Sequence, residues 1–159
     1  MGVSGCGKSS VGKALAAQCE LTFIDGDDLH PTANVEKMSR GEPLNDDDRA
    51  PWLAQVGRAL AAAKKPAAVA CSALKRTYRD LIRAEAGSVA FIHLHAPKPV
   101  LAERVNTRQD HFMPPSLLDS QFEALEMLGP DEAGVVVNID QPLTNVVADA
   151  KTYIMEAAE

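Results

Sequence analysis

The sequence lacks any run of about 18 apolar residues, the length that lets a helix span a bilayer, so no transmembrane segment is expected. It also lacks a basic surplus. Sixteen Lys and Arg stand against 22 Asp and Glu, giving a net charge of -6. That balance argues against a general nucleic-acid binder and leaves room for a local basic pocket. Cysteine is scarce. Cys6, Cys19 and Cys71 are too few and too scattered for a disulfide framework, which makes the reducing cytoplasm the expected compartment. No charged start followed by an apolar stretch marks a signal peptide. No HExxH pattern is present either. His93 and His95 alternate along an expected strand and share one face. Without a third ligand they read as polar residues on a partly solvated strand face rather than as a metal site.

The 159 residues suffice for one compact domain and are too few for two ordinary ones. Short apolar stretches alternate with helical patterns. Strands are expected over 21–25, 67–71, 89–94 and 135–139. Helices are expected over 8–19, 31–40, 46–64, 74–86, 99–108, 116–128 and 143–157, with Asp46 capping the third. This alternation implies an α/β fold with a parallel sheet covered on both faces. The whole chain is expected to form a single domain whose mobile parts are a substrate segment near 31–50 and a lid near 104–116.

The strongest signal is Gly2-Val3-Ser4-Gly5-Cys6-Gly7-Lys8-Ser9, an ungapped GxxxxGK[ST]. Glycines let backbone N–H groups curl around a phosphate without Cβ clashes. The helix that follows points its positive N-terminus at the anion. Lys8 reaches the β- and γ-phosphates of a nucleoside triphosphate, and the Ser9 hydroxyl suits Mg²⁺. A buried strand ordinarily enters such a loop, and only Met1 precedes Gly2 here. A run of β-branched and aliphatic residues is therefore expected upstream.

A second cluster, Phe23-Ile24-Asp25-Gly26-Asp27-Asp28-Leu29-His30-Pro31, ends a strand in acids at the sheet edge where α/β proteins bind ligands. There one carboxylate suits a Mg²⁺ water and another suits a hydroxyl proton. Three further blocks follow: Gly41 to Leu53, Cys71-Ser72-Ala73-Leu74-Lys75 with Tyr78-Arg79-Asp80-Leu81, and Arg104 to Met113 with Gln121-Phe122-Glu123.

Taken together these segments resemble gluconate kinase, the thermoresistant type of gluconokinase. The match runs from Gly2 to the Asp140–Leu143 stretch. The resemblance implies a P-loop, nucleoside-monophosphate-kinase-like three-layer fold lacking its first strand. It also implies ATP and Mg²⁺ as partners, gluconate as acceptor and a homodimer as the assembly. Rival readings are a shikimate- or nucleotide-type kinase on the same fold, or a non-catalytic nucleotide-binding remnant.

Carried over by resemblance, the ATP site comprises Gly2, Ser4, Gly5, Cys6, Gly7, Lys8, Ser9 and Ser10, joined by Arg104 and Arg108 from the lid. Ser9 and Asp25 serve the metal. Asp27 orients or deprotonates the attacking hydroxyl. His30, Arg49, Lys75 and Arg79 converge on the sugar acid, and His111 and Gln121 line its side. Lys8, Asp27 and Arg108 carry the catalysis. This sequence departs from the family pattern in two further places. Cys6 stands where Ser is usual, and Asp110 stands where a Gly precedes His-Phe. Cys6 lies in the electropositive pocket of the loop, two residues before Lys8, and two readings stand: a reachable thiol reactive toward thiol reagents, or a slightly larger substitute for Ser whose side chain points away from the phosphates.

Overall fold

The structure is a computed structural model and describes residues 1–107 and 115–158. Seven helices and four strands are described: α1 Lys8–Cys19, β1 Thr22–Asp25, α2 Thr32–Ser39, α3 Asp46–Ala62, β2 Ala67–Ala70, α4 Arg76–Ala86, β3 Phe91–His95, α5 Lys98–Asn106, α6 Pro115–Ala124, β4 Gly134–Asn138 and α7 Leu143–Ala157. A single 3-10 turn, Gly26–Leu29, follows β1.

The elements form three layers because each strand is apolar on both faces. One core gathers Val11 and Leu15 of α1, Leu101 of α5, and Val146 and Val147 of α7 against Leu94 and Val137 of the strands. The other gathers Trp52, Leu53 and Val56 of α3 with Tyr78 and Ile82 of α4 against Phe91. Each such side chain, taken fully out of water, contributes roughly 1.5–3 kcal/mol before conformational entropy is counted.

Helix α3 starts one residue earlier than Asp46 implies. Asn45 is its N-cap. Its side chain accepts from the Asp48 amide at 2.8 Å, while Asp48 Oδ2 accepts from the Asn45 amide at 2.9 Å. This reciprocal box satisfies two otherwise orphaned donors. It also frees the Asp46 side chain for another task.

Both strand pairings are parallel, β1 with β2 in the register Thr22–Ala67 to Asp25–Ala70, and β3 with β4 from Phe91–Gly134 to His95–Asn138. The single sheet expected from the sequence is therefore present as two pairs. Met1 and Gly2 lie in the interval between β2 and β3. The Met1 ammonium donates to Ile92 O at 2.6 Å, Leu94 N donates to Met1 O at 3.0 Å, and Gly2 N donates to Ser72 O at 3.1 Å. Burial pushes the Met1 α-amine down to about 6. The rest of that interval is a cavity of about 640 Å³, bounded by Ala68, Val69 and Ala70 on one side and Phe91, Ile92 and Leu94 on the other. No described helix is long and apolar enough to cross a membrane.

Candidate active site

The phosphate loop turns through backbone angles that L side chains rarely adopt. Gly5 has φ +82°, and a Cβ there would meet Val105 Cγ2 at 2.6 Å. Gly7, the N-cap of α1, sits at φ 91°, ψ 22°, a left-handed conformation open to glycine at little cost. Helix α1 has no side-chain cap and no acid in its first turn, so its N–H groups and dipole remain available to an anion. Lys8 Nζ folds back over the loop, donating to Gly2 O at 3.0 Å and Val3 O at 3.2 Å. Ser9 and Ser10 open the same helix on its exposed side.

Cys6 follows the second of its two readings. It is 1% exposed and packs into the core beside Val3 and Leu94. A loop that turns its amides outward must turn this side chain toward the sheet. The reading of a reachable, reactive thiol is therefore corrected. The Cys6 amide donates to Val3 O at 3.3 Å, so the residue shapes the loop from inside.

The acids after β1 lie at the same edge. Asp25 caps the 3-10 turn, its Oδ1 accepting from the Asp27 amide at 3.1 Å. Gly2 N bonds the Ser72 carbonyl, which ties the phosphate loop to the loop that leads to Lys75. Burial pushes the Cys71 thiol, at the end of β2, up to about 11.

Trp52 of α3 organises the acceptor side. Its indole Nε1 donates to Gly26 O at 2.8 Å in the interior. The His30 ring stacks on it, with centroids 4.1 Å apart and planes at 15°. Asn34 Nδ2 lies 3.3 Å from His30 Nδ1 and donates to Asp48 O at 2.9 Å. An amide nitrogen only donates, so His30 Nδ1 accepts and Nε2 carries the hydrogen. Burial pulls the His30 pKa below its usual value, favouring this neutral form.

Two of the expected cations meet here. Lys75 Nζ lies 3.3 Å and 3.1 Å from the two Asp46 oxygens. Arg49 reaches the same carboxylate at 3.9 Å. Both sit over the Tyr78 ring, 5.3 Å and 5.9 Å from its centre. Tyr78 OH donates to Asp46 Oδ1. That bond first, and Lys75 second, hold the Asp46 carboxyl below its usual range, and Asp46 in turn raises Lys75. Asp46 is 60% exposed, and Lys75 and Arg49 are half-buried beside it. Asp46 and Tyr78 were not read as site residues in the sequence. The acidic run looked like a helix start, and no local spacing links Asp46 to Lys75.

The third cation does not join them. Arg79 is wholly buried, paired with Glu132 and bonded to four backbone carbonyls. The expectation that it pairs the sugar acid is corrected, because its donors are already taken. Gln121 is also placed differently. Its Oε1 accepts from the Ser4 amide at 2.7 Å and its Nε2 donates to Ser4 Oγ at 3.0 Å, so it latches α6 to the phosphate loop. Arg104 donates to Ile139 O, joining α5 to the end of β4. Arg108 and His111 lie outside the described residues. His93 is wholly buried, and neither ring nitrogen has a partner. The partly solvated face expected for it is thereby corrected. Among the described residues no cluster of three His, Cys, Asp or Glu side chains is arranged to hold a metal unaided.

The family model for shikimate kinase matches residues 4–133. The thermoresistant gluconokinase of Escherichia coli K12 is 49% identical over 152 residues, which cover 93% of this chain and 87% of that protein. The chain belongs to the gluconokinase family. A crystal structure of a gluconokinase from Sinorhizobium meliloti 1021 superposes with a TM-score of 0.90 at 52% identity, covering 99% of this chain and 90% of that one. The APS kinase of Mycobacterium tuberculosis, at a TM-score of 0.65 and 17% identity, shares the fold alone. Membership in the gluconokinase family makes the chain a kinase of the P-loop class, and the loop, the acids after β1 and the Arg49–Lys75 pair fall on the segments that carried the resemblance.

Proposed function

We propose that this kinase transfers the γ-phosphoryl group of ATP to D-gluconate, giving 6-phospho-D-gluconate. The observation that carries this reading is the pairing of a phosphate loop with a half-buried Arg49–Lys75 cation pair, linked through the Gly2–Ser72 hydrogen bond. Gluconate offers a carboxylate at one end and a primary hydroxyl at the other. The cation pair binds the first, leaving the second for the phosphate loop.

In this reading the amides of Gly5, Gly7 and Lys8 cradle the ATP phosphates, with Ser10 beside them, while Gly2, Ser4 and Cys6, whose amides bond Ser72 O, Gln121 Oε1 and Val3 O, hold the loop in shape. The uncapped N-terminus of α1 fits that anion. Ser9 and Asp25 would hold Mg²⁺, which takes its remaining ligands from phosphate oxygens and water. Bound Mg²⁺ neutralises charge that develops during transfer. Asp27 orients the attacking hydroxyl and accepts its proton. His30, fixed by Trp52 and Asn34, donates to an acceptor hydroxyl through Nε2. Arg104 and Arg108 stabilise transition-state charge, and His111 lines the acceptor. Segments 31–50 and 104–116 of the single domain close over the substrates. The three cysteines are free thiols, which suits the cytoplasm. The small-molecule substrate is its partner in this reading, with a homodimer as the expected assembly.

The match to the shikimate kinase model favours a shikimate-type acceptor as the second reading. A coupled ADP-release assay with gluconate, shikimate and nucleoside monophosphates separates the two. Turnover with gluconate alone supports the first. Turnover with shikimate and none with gluconate overturns it.

A further inference from the structure

We propose that Arg79 is a positioning residue that fixes the acceptor-binding loop Ser72–Lys75 against the segment following α6, and so sets where Lys75 meets the acceptor. This rests on the reading of Lys75 as a carboxylate partner.

Arg79 projects from the first turn of α4 and is 0% exposed. Its Nε and Nη2 grip the two Glu132 oxygens at 2.7 Å and 2.9 Å. Glu132 is equally buried, and Arg79 is the main cause of its carboxyl lying far below the usual range. A forked pair of this kind already balances the buried charge.

The remaining guanidinium hydrogens do something the charge balance does not require. Nη1 donates to Ala73 O, Leu74 O and Glu126 O, each at 3.1 Å, and Nη2 reaches Met127 O at 3.4 Å. Two chain segments about fifty positions apart are thus held by one planar group.

Each held segment leads to the site. The first contains Ala73, a non-glycine residue at φ 45°, a left-handed conformation that persists only where its surroundings impose it. Two residues later the chain reaches Lys75, the N-cap of α4. The second segment follows α6, whose Gln121 touches the phosphate loop. It is stitched to the first by Glu126 N to Leu74 O at 2.8 Å and by Arg76 N to Glu126 Oε2 at 2.6 Å. Arg79 thus holds a strained turn in the geometry that aims Lys75 at the exposed side of Asp46, and couples that geometry to the α6 arm.

The test is a double-mutant cycle with steady-state kinetics. Arg79→Lys keeps the charge and loses the planar fork. It should raise KM for gluconate on the order of 10- to 100-fold, as expected for misplacing one charged contact, with KM for ATP at the parent value. Lys75→Met should raise KM for gluconate by itself. In the Lys75→Met background, Arg79→Lys should add nothing to KM for gluconate while still lowering Tm, a readout that a purely structural role would not split in this way. If Arg79→Lys raises both KM values alike, or raises KM for gluconate equally with and without Lys75, Arg79 is general scaffolding and the proposal fails. If Lys75→Met raises KM and Arg79→Lys does not, the proposal alone fails. If Lys75→Met leaves KM unchanged, the reading of Lys75 fails and takes the proposal with it. Should Arg79→Lys not fold, Arg79→Gln, which keeps a donor and leaves Glu132 paired with Arg83, carries the same comparison.

Discussion

Mild acid should destabilise this protein before its carboxylates begin to titrate, and His93 is the reason. The ring is wholly buried on β3 and neither nitrogen has a hydrogen-bond partner. Burial is the chief cause that holds its pKa down to about 4 against an ordinary 6.5. The Met1 ammonium, His95 and Arg79 add cationic repulsion in the same direction. The unfolded chain takes up a proton at this histidine as pH falls through 6.5, whereas the folded chain refuses it until about 4. The contribution is therefore fully present above pH 6.5 and is lost progressively on the way down. Between pH 7 and pH 5 the loss amounts to about 2 kcal/mol. His30, also depressed by burial, adds in the same sense. Urea titrations at pH 7, 6 and 5 would measure the slope. His93→Leu, of similar volume and without orphaned nitrogens, should be about as stable as the parent at pH 7 or more so. It should also lose the His93 share of the slope, about 2 kcal/mol between pH 7 and pH 5, while the lowered Met1 α-amine and His30 keep theirs. An unchanged slope in His93→Leu, or a parent indifferent to pH over this window, would refute the reasoning.

Lys8→Ala should lower kcat by roughly 10³-fold with little change in Tm, because the lysine acts on charge that develops in transfer. Arg108→Ala should lower kcat by roughly 10³–10⁵-fold if it serves as an arginine finger, and single-turnover kinetics would show either loss. Alkylation followed by mass mapping should label half-buried Cys19 ahead of buried Cys6 and Cys71. Rapid labelling of Cys6 that ATP suppresses would contradict the inward-facing side chain. Trp52→Phe removes the buried indole bond to Gly26 O and should cost about 1–3 kcal/mol in a urea titration. An unshifted midpoint would show that this bond does not anchor the turn after β1.

The phosphate loop was legible because its chemistry is contiguous: every group it needs lies within eight positions. The helices were legible to within a few residues because apolar periodicity survives in each. The third helix start was displaced by one residue because Asn45, Asp46 and Asp48 are all competent caps, and only the reciprocal Asn45–Asp48 bonds decide among them. Arg79 was misread for a different reason. A cation in a block that also holds Lys75 looks like another substrate ligand, and its partner Glu132 lies 53 positions away, where no local pattern connects them. Asp46 and Tyr78 are hidden likewise, since their meeting depends on how α3 packs on α4. Gln121 reads in the sequence as lining the acceptor, whereas its contact is with Ser4, 117 positions away, where no local pattern links α6 to the phosphate loop.

The hydrogen bond from Gly2 N to Ser72 O joins the opening of the phosphate loop to the chain that runs on to Lys75. A displacement of the loop is therefore passed along one backbone bond to the turn that Ala73 makes at φ 45°. Segments that share such a bond move as a pair, so strain entered at one is felt at the other.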